Sequence, residues 1–250
     1  MKKGKKSKKV IRKSKKVKRG KVVRISTGIK ELDNVVQGGF KRNSINLVVG
    51  GAGSGKTIFA IQFLIEGVKR GEPGVYITFE EKREGLYEDM LAFGWDLEKY
   101  EKEKKLMIVE YTPEQVKKIL TEGGGTIEAL ISNSKAKRLV IDSISSFGLL
   151  YQDELTKKEA TLALFDLIRR WDLTALLTSE EEDAEKGDDV PGIEFEVDGI
   201  IILYHTKHKG KRVRALEILK MRGTKHPEKT FPLEIANIGI KINTKKIIEF

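Results

Sequence analysis

The sequence predicts an α/β protein with a mostly parallel sheet, helices on both faces and a C-terminal antiparallel hairpin. Three observations carry that expectation. Short apolar runs bounded by turn residues alternate with segments of helical period, and parallel neighbours need the long crossovers those segments supply. The run Ile45–Val49 is apolar at nearly every position, as in a strand covered on both faces. The chain has 250 residues, 39% of them hydrophobic, which is enough for one large domain with its own core.

The elements follow in order. Ile25 to Asn43 is mixed and gives no clear period, and Ile45–Val49 is then the first buried strand. A helix opens at Lys56, with Ile61, Leu64, Ile65 and Val68 at helical spacing and Gly71 beyond its end. Val75–Phe79 is a strand, Glu84–Phe93 a helix and Leu106–Glu110 a strand. Helical pieces at Pro113–Leu120 and Thr126–Ser132 flank the Gly123–Gly125 break. Arg138–Asp142 is an apolar strand ending in an acid, and Lys157–Trp171 a helix with Ala160, Leu164, Leu167, Ile168 and Trp171 along one face. Thr174–Thr178 is the next strand. Gly199–Tyr204 and Val213–Met221, joined by a basic turn at Lys207–Arg212, read as a hairpin at the sheet edge.

Charge is distributed unevenly. The net charge is +11, from 48 Lys and Arg against 37 Asp and Glu. Residues 1–24 hold fourteen of the basic residues and no acid, so the remaining 34 basic residues face all 37 acids and residues 25–250 carry a net of −3. The expected organisation is a flexible lysine-rich extension over 1–24 and one folded domain over 25–250. The absence of cysteine excludes disulfides, thiolate metal sites and cysteine nucleophiles. No apolar stretch approaches the roughly 18 residues of a membrane span, and no apolar segment follows the basic one as a secretory signal requires, so a soluble, cytoplasmic protein with no membrane partner is expected.

The strongest motif is Gly50-Gly51-Ala52-Gly53-Ser54-Gly55-Lys56-Thr57, which fits G-x-x-x-x-G-K-[ST] at every fixed position between an expected strand and an expected helix. There the loop amides and the helix N-terminus point at a polyanion, Lys56 reaches the β- and γ-phosphates, and the Thr57 hydroxyl binds Mg²⁺. Asp142, ending its strand, is placed to hold the same ion through water. Glu80 and Glu81 follow the strand Val75–Phe79, at the sheet edge where open α/β folds bind ligands, and either can orient or deprotonate an attacking water. Histidines His205 and His208 suggest a metal pair at first sight, but lysines adjoin them and no cysteine assists. A solvated hairpin tip is the simpler reading.

These residues resemble a known family. Ser26-Thr27-Gly28-Ile29 with Leu32-Asp33, then Gly38-Gly39-Phe40, the phosphate loop, Phe79-Glu80-Glu81 and Val140-Ile141-Asp142-Ser143-Ile144-Ser145 look like the KaiC-like branch of the RecA superfamily, in one uninterrupted order from about Ile25 to Leu233. The chain is similar to single-domain archaeal-type members. The resemblance implies a RecA-like P-loop NTPase core, ATP hydrolysis with ATP and Mg²⁺ as ligands, and a homo-oligomeric ring, commonly hexameric. It places Ser54 and Ile58 against the nucleotide beside Gly53, Gly55, Lys56 and Thr57. It also gives a role to Lys220-Met221-Arg222-Gly223-Thr224-Lys225-His226, since a K-x-R-x-T-x-H run in such proteins reaches the nucleotide held by the neighbouring subunit. On that pattern Lys220, Met221, Arg222, Thr224 and His226 act in trans, with Lys220 and Arg222 neutralising the γ-phosphate.

Two other readings compete. A RecA/RadA-like DNA-associated ATPase would need basic loops in the central groove, whereas Glu180–Glu196 holds nine acids and one lysine, which repels phosphates. An ATP-dependent scaffold or autokinase signalling protein fits the family too, although one core departs from the two-domain KaiC arrangement. The segment 1–24 has no aromatic residue to stack on bases. Weak nonspecific nucleic-acid binding, docking on an acidic protein surface and a solubilising arm all remain open for it.

Overall fold

A computed structural model describes residues 22–121, 125–180 and 195–250. Of the expected extension only Val22, Val23 and Arg24 are therefore described, and residues 181–194 of the acidic segment lie outside the described residues.

The elements are Arg24–Ile25 (β1), Lys30–Val35 (α1), Phe40–Lys41 (β2), Ile45–Gly50 (β3), Lys56–Lys69 (α2), Gly74–Thr78 (β4), Arg83–Leu91 (α3), Leu97–Lys102 (α4), Leu106–Glu110 (β5), Pro113–Thr121 (α5), Gly125–Ser134 (α6), Arg138–Asp142 (β6), Ile144–Gly148 (α7), Glu154–Arg170 (α8), Thr174–Ser179 (β7), Gly199–His208 (β8), Lys211–Met221 (β9), Thr230–Ala236 (β10) and Gly239–Ile242 (β11). Among the described residues nine strands form one sheet in the order β11-β10-β9-β8-β3-β7-β6-β4-β5, and β1 pairs with β2 beside it. Strand β3 lies parallel to both β7 and β8, and β6, β4 and β5 continue the parallel part. From β8 onward the pairing is antiparallel.

The pleat divides the core in two. Ile45, Leu47 and Val49 face one layer with Phe147, Leu164, Phe165 and Ile168, while Val48 faces the other with Phe59, Phe63 and Leu64 of α2. Side chains of this size each gain roughly 1.5–3 kcal/mol from burial. That two-sided covering holds β3 rigid at the centre of the sheet. Its C-terminal end, Gly50, opens the phosphate loop.

The expected strands and main helices form, with several differences; β1, α1 and β2 form within the segment that shows no clear period, and α7 follows β6. The hairpin β8–β9 is not at the edge, because β10 and β11 extend the sheet beyond it. Pro232 hides β10 from a strand reading, since proline is rare inside sheets. It is tolerated because β11 pairs only with Leu233–Ala236. The basic turn is shorter than expected: the ladder runs to His208 and resumes at Lys211, leaving Lys209 and Gly210, both at positive φ, as a two-residue turn. The helix expected from Lys157 begins three residues earlier at Glu154, because the Asp153 carboxylate caps it by accepting from Thr156 N at 2.8 Å. Asp96 likewise caps the short α4 that the sequence reading passes over.

Candidate functional site

Strand β3 is parallel to its neighbours, so the C-terminal ends of β3, β4, β6 and β7 gather on one edge of the sheet. The loop Gly50–Gly55 rises from that edge into α2, with Gly53 at φ 70° and Gly55, the residue before the helix, at φ 103°. Positive φ at two positions within three residues is the backbone form that turns successive amides toward an anion. Lys56, the first helical residue, folds back so that Nζ donates to the carbonyls of Gly50 at 2.7 Å and Gly51 at 3.2 Å. It also lies 3.9 Å from a Glu180 carboxylate oxygen. Burial lowers the pKa of this ammonium, and Glu180, Asp142 and Glu80 oppose the shift.

Beside it stands Asp142, at the end of β6 and in register with Thr78 of β4. The Thr57 hydroxyl donates to Asp142 Oδ2 at 2.9 Å, Tyr76 OH donates to the same oxygen at 2.7 Å, and the Thr178 hydroxyl donates to Oδ1. The carboxylate is thus fixed by three elements at once. Glu80 and Glu81 turn off the end of β4, where both of their amides donate to Thr78 Oγ1. The Ser146 hydroxyl donates to Glu80. The Glu81 carboxyl is pushed above its ordinary range, first by burial and then by the charges of Asp142 and Asp89. A cavity of about 500 Å³ joins Lys56, Thr57, Glu80, Glu81 and Asp142 to Ile58, Arg214 and Ile235.

The structure thus brings the phosphate loop, Thr57, Asp142, Glu80 and Glu81 into one place. It puts the K-x-R-x-T-x-H residues elsewhere. Lys220 and Met221 pair with Ile200 and Gly199 at the start of β8, whereas Leu203 at the other end of the same pairing adjoins Gly50. Three residues of strand for Lys220 and four for Met221 separate them from the chain's own loop, roughly 10 and 13 Å. Arg222 lies at the surface, donating to the Phe195 carbonyl and 4.0 Å from Asp198. Thr224 accepts from Arg24 at 2.6 Å, and His226 Nδ1 is buried with no hydrogen-bond partner among the described residues. The Met221 side chain faces the core, which leaves only its backbone to meet another molecule.

The site also includes residues the sequence reading does not single out for it: Tyr76, Thr78, Thr178, Glu180, Arg214 and Ile235. Thr78, Thr178 and Glu180 share one signal, position at or just past a strand end, whereas Tyr76, Arg214 and Ile235 lie within their strands and carry none. His205 is not at a hairpin tip but inside β8, with Nδ1 3.3 Å from the Ala52 carbonyl oxygen.

Comparison with known proteins adds a family. The model of the KaiC ATPase family matches residues 25–247. KaiC3, a circadian clock protein of Synechocystis sp., is 34% identical over 224 residues, which is 86% of this chain and 44% of KaiC3, so the chain spans less than half of that relative. A UPF0273 protein of Methanopyrus kandleri is 35% identical over 240 residues, covering 90% of this chain and 94% of its own. The crystal structure of a KaiC-like protein from the hyperthermophilic archaeon Pyrococcus horikoshii matches with a TM-score of 0.79 at 37% identity, over 89% of this chain and 100% of that one.

Proposed function

The chain belongs to the KaiC ATPase family, and from that premise we propose that it binds ATP with Mg²⁺ and hydrolyses it in a ring of identical subunits, each site lying between two of them. The observation that carries this reading is the convergence of Lys56, the Thr57–Asp142 pair and Glu80–Glu81 in one cavity at the C-terminal edge of the sheet. A glycine loop alone would bind any phosphate. A metal-binding pair and two carboxylates across from it are what hydrolysis requires.

The donors suit magnesium. Thr57 and Asp142 present hard oxygens, and the described residues contain no cluster of three or more His, Asp or Glu side chains that would cage an ion entirely in protein. Mg²⁺ normally keeps waters and phosphate oxygens in its shell. Thr57 would hold it directly and Asp142 through water; when bound, it neutralises charge on the β- and γ-phosphates. The chain's own residues do the rest. Lys56 moves its hydrogen bonds from the Gly50 and Gly51 carbonyls to phosphate. Glu80 or Glu81 orients the attacking water and takes its proton, and the pKa of Glu81, raised by burial, strengthens that carboxylate as a base.

Lys220 and Arg222 lie too far along the sheet to serve their own loop, and Arg222 is half exposed. Both features favour service to a neighbour's nucleotide through a head-to-tail contact, the kind that closes into rings. We assign the ring six members on the family resemblance. The hydrolysis serves regulation in this reading, in keeping with the clock protein among the relatives. The lysine-rich segment 1–24 adds loose contact with nucleic acid.

The test is phosphate release from ATP by purified protein. Release should need Mg²⁺, stop with EDTA and stop in Lys56→Ala. Normal turnover in Lys56→Ala would end the catalytic assignment.

A further inference from the structure

The hairpin that carries His205 and Arg214 grips the phosphate loop from outside. His205 and Arg214 are directly opposed in the β8–β9 ladder, so their side chains lie together on one face. His205 Nδ1 lies 3.3 Å from the Ala52 carbonyl oxygen, and Arg214 Nε donates to the Gly53 carbonyl at 2.9 Å. Two successive carbonyls of the loop are therefore held by one cross-strand pair. The packing is close, since a Cβ on Gly53 would come within 3.1 Å of His205 Nδ1.

Peptide planarity turns this grip into control of the amides. In a trans peptide the C=O and the following N–H point in opposite directions. Fixing the Gly53 oxygen on the hairpin side aims the Ser54 N–H back across the loop, where it donates to the Gly51 carbonyl at 3.3 Å. Fixing the Ala52 oxygen likewise aims the Gly53 N–H away from the hairpin. A glycine-rich loop otherwise spends conformational entropy when it closes on an anion. A charged donor makes a stronger hydrogen bond to a carbonyl than a neutral one does. Arg214 also lines the same cavity as Lys56 and Thr57.

We propose that Arg214, assisted by His205, is a positioning residue that preorganises the phosphate loop for the nucleotide through the Gly53 carbonyl. The inference rests on the loop being the nucleotide site. It implies that Arg214 contributes to binding of ATP and ADP alike, because both require the same amides, and little to the chemical step.

Direct titration of ATP and ADP against wild type, Arg214→Ala, Arg214→Lys and His205→Ala, with turnover at saturating ATP, tests it. Arg214→Ala should weaken both nucleotides about tenfold, the worth of one hydrogen bond to a charged group, while leaving saturated turnover within about twofold. Arg214→Lys, which keeps a charged donor, should recover part of the affinity, and His205→Ala should lose less than Arg214→Ala. Unchanged affinity in Arg214→Ala, or a fall in saturated turnover at unchanged affinity, would overturn the proposal. If Arg214→Ala does not fold, the lysine variant and His205→Ala decide: wild-type affinity in both would overturn it. Failure of wild type to bind ATP would instead remove the nucleotide reading on which it rests.

Discussion

Thr57 and Asp142, 85 residues apart in the chain, meet at 2.9 Å between Oγ1 and Oδ2. One lies in the first turn of α2 and the other ends β6, and the parallel order β3-β7-β6 sets the distance between them. The hydroxyl and carboxylate can hold one ion between loop and sheet only while both strands stay in register. Thr57→Val and Asp142→Asn should each cut Mg²⁺-dependent turnover about a hundredfold or more, with nucleotide binding in EDTA nearly unchanged. Thr57→Ser should keep activity. A magnesium titration of the variants checks this, and wild-type magnesium dependence in Asp142→Asn would contradict it.

Ionisation of Glu81 should set the acid limb of the rate profile. Its pKa is raised by burial and by Asp142 and Asp89, so the carboxylate form needed for proton acceptance is lost at a higher pH than for a free glutamate. Turnover should therefore rise with pH through a limb above the ordinary carboxylate range. Glu81→Gln should lower turnover about a hundredfold and remove that limb. A profile of kcat/KM from acid to neutral pH measures it, and an unaltered limb in the variant would assign the titration elsewhere.

Arg138 is a structural centre that the catalytic reading does not use. It is fully buried; Nε and Nη2 donate to Glu72 at 2.9 and 2.6 Å, and Nη1 donates to the carbonyls of Ser26 and Phe63. Its guanidinium also lies over the Phe63 ring. Removing it strands Glu72 and two carbonyls, so Arg138→Ala should cost about 3 kcal/mol and lower the thermal midpoint by roughly 10 °C. Glu72→Gln should cost about 1 kcal/mol, since Glu72 is 29% exposed and water replaces part of the partner. Denaturant titration distinguishes the two; equal stability in Arg138→Ala would contradict the assignment.

Nucleic-acid binding, where found, should reside in the basic segment. A chain beginning at Val23 lacks thirteen of the fourteen basic residues of 1–24. The full chain should bind single-stranded nucleic acid with an affinity that falls steeply with salt, and the shortened one should not. Equal affinity of the two in filter binding would place the contact in the folded domain.

This part of the candidate site was legible because its residues sit at fixed short spacing or at the ends of apolar strands: the loop Gly50–Thr57, Glu80–Glu81 and Asp142. Tyr76 and Thr178 were not, because pairing of β4, β6 and β7 brings them to Asp142 from 66 and 36 residues away. The meeting of Arg214 and His205 with Ala52 and Gly53 was not legible, since it exists only once β8 is docked on β3. In the fold, Pro232 concealed β10, and the Asp153 cap starts α8 three residues before its apolar period becomes visible. The residues proposed to act in trans come from the family resemblance alone, because spacing within one chain carries no information about a neighbour.

The central claim is a site shared between subunits, and mixing two defective variants tests it directly. Lys56→Ala lacks a working loop but keeps Arg222. Arg222→Ala keeps the loop and lacks the trans cation, and should lose about a thousandfold or more in turnover, as when an arginine finger is removed. Each alone should be nearly inactive. Assembled together in equal amounts, they should regain about a quarter of wild-type turnover, because one interface in four then joins an intact loop to an intact Arg222 in a head-to-tail ring. A mixture no more active than the sum of its two parts, in a ring verified by mass, would contradict the shared site.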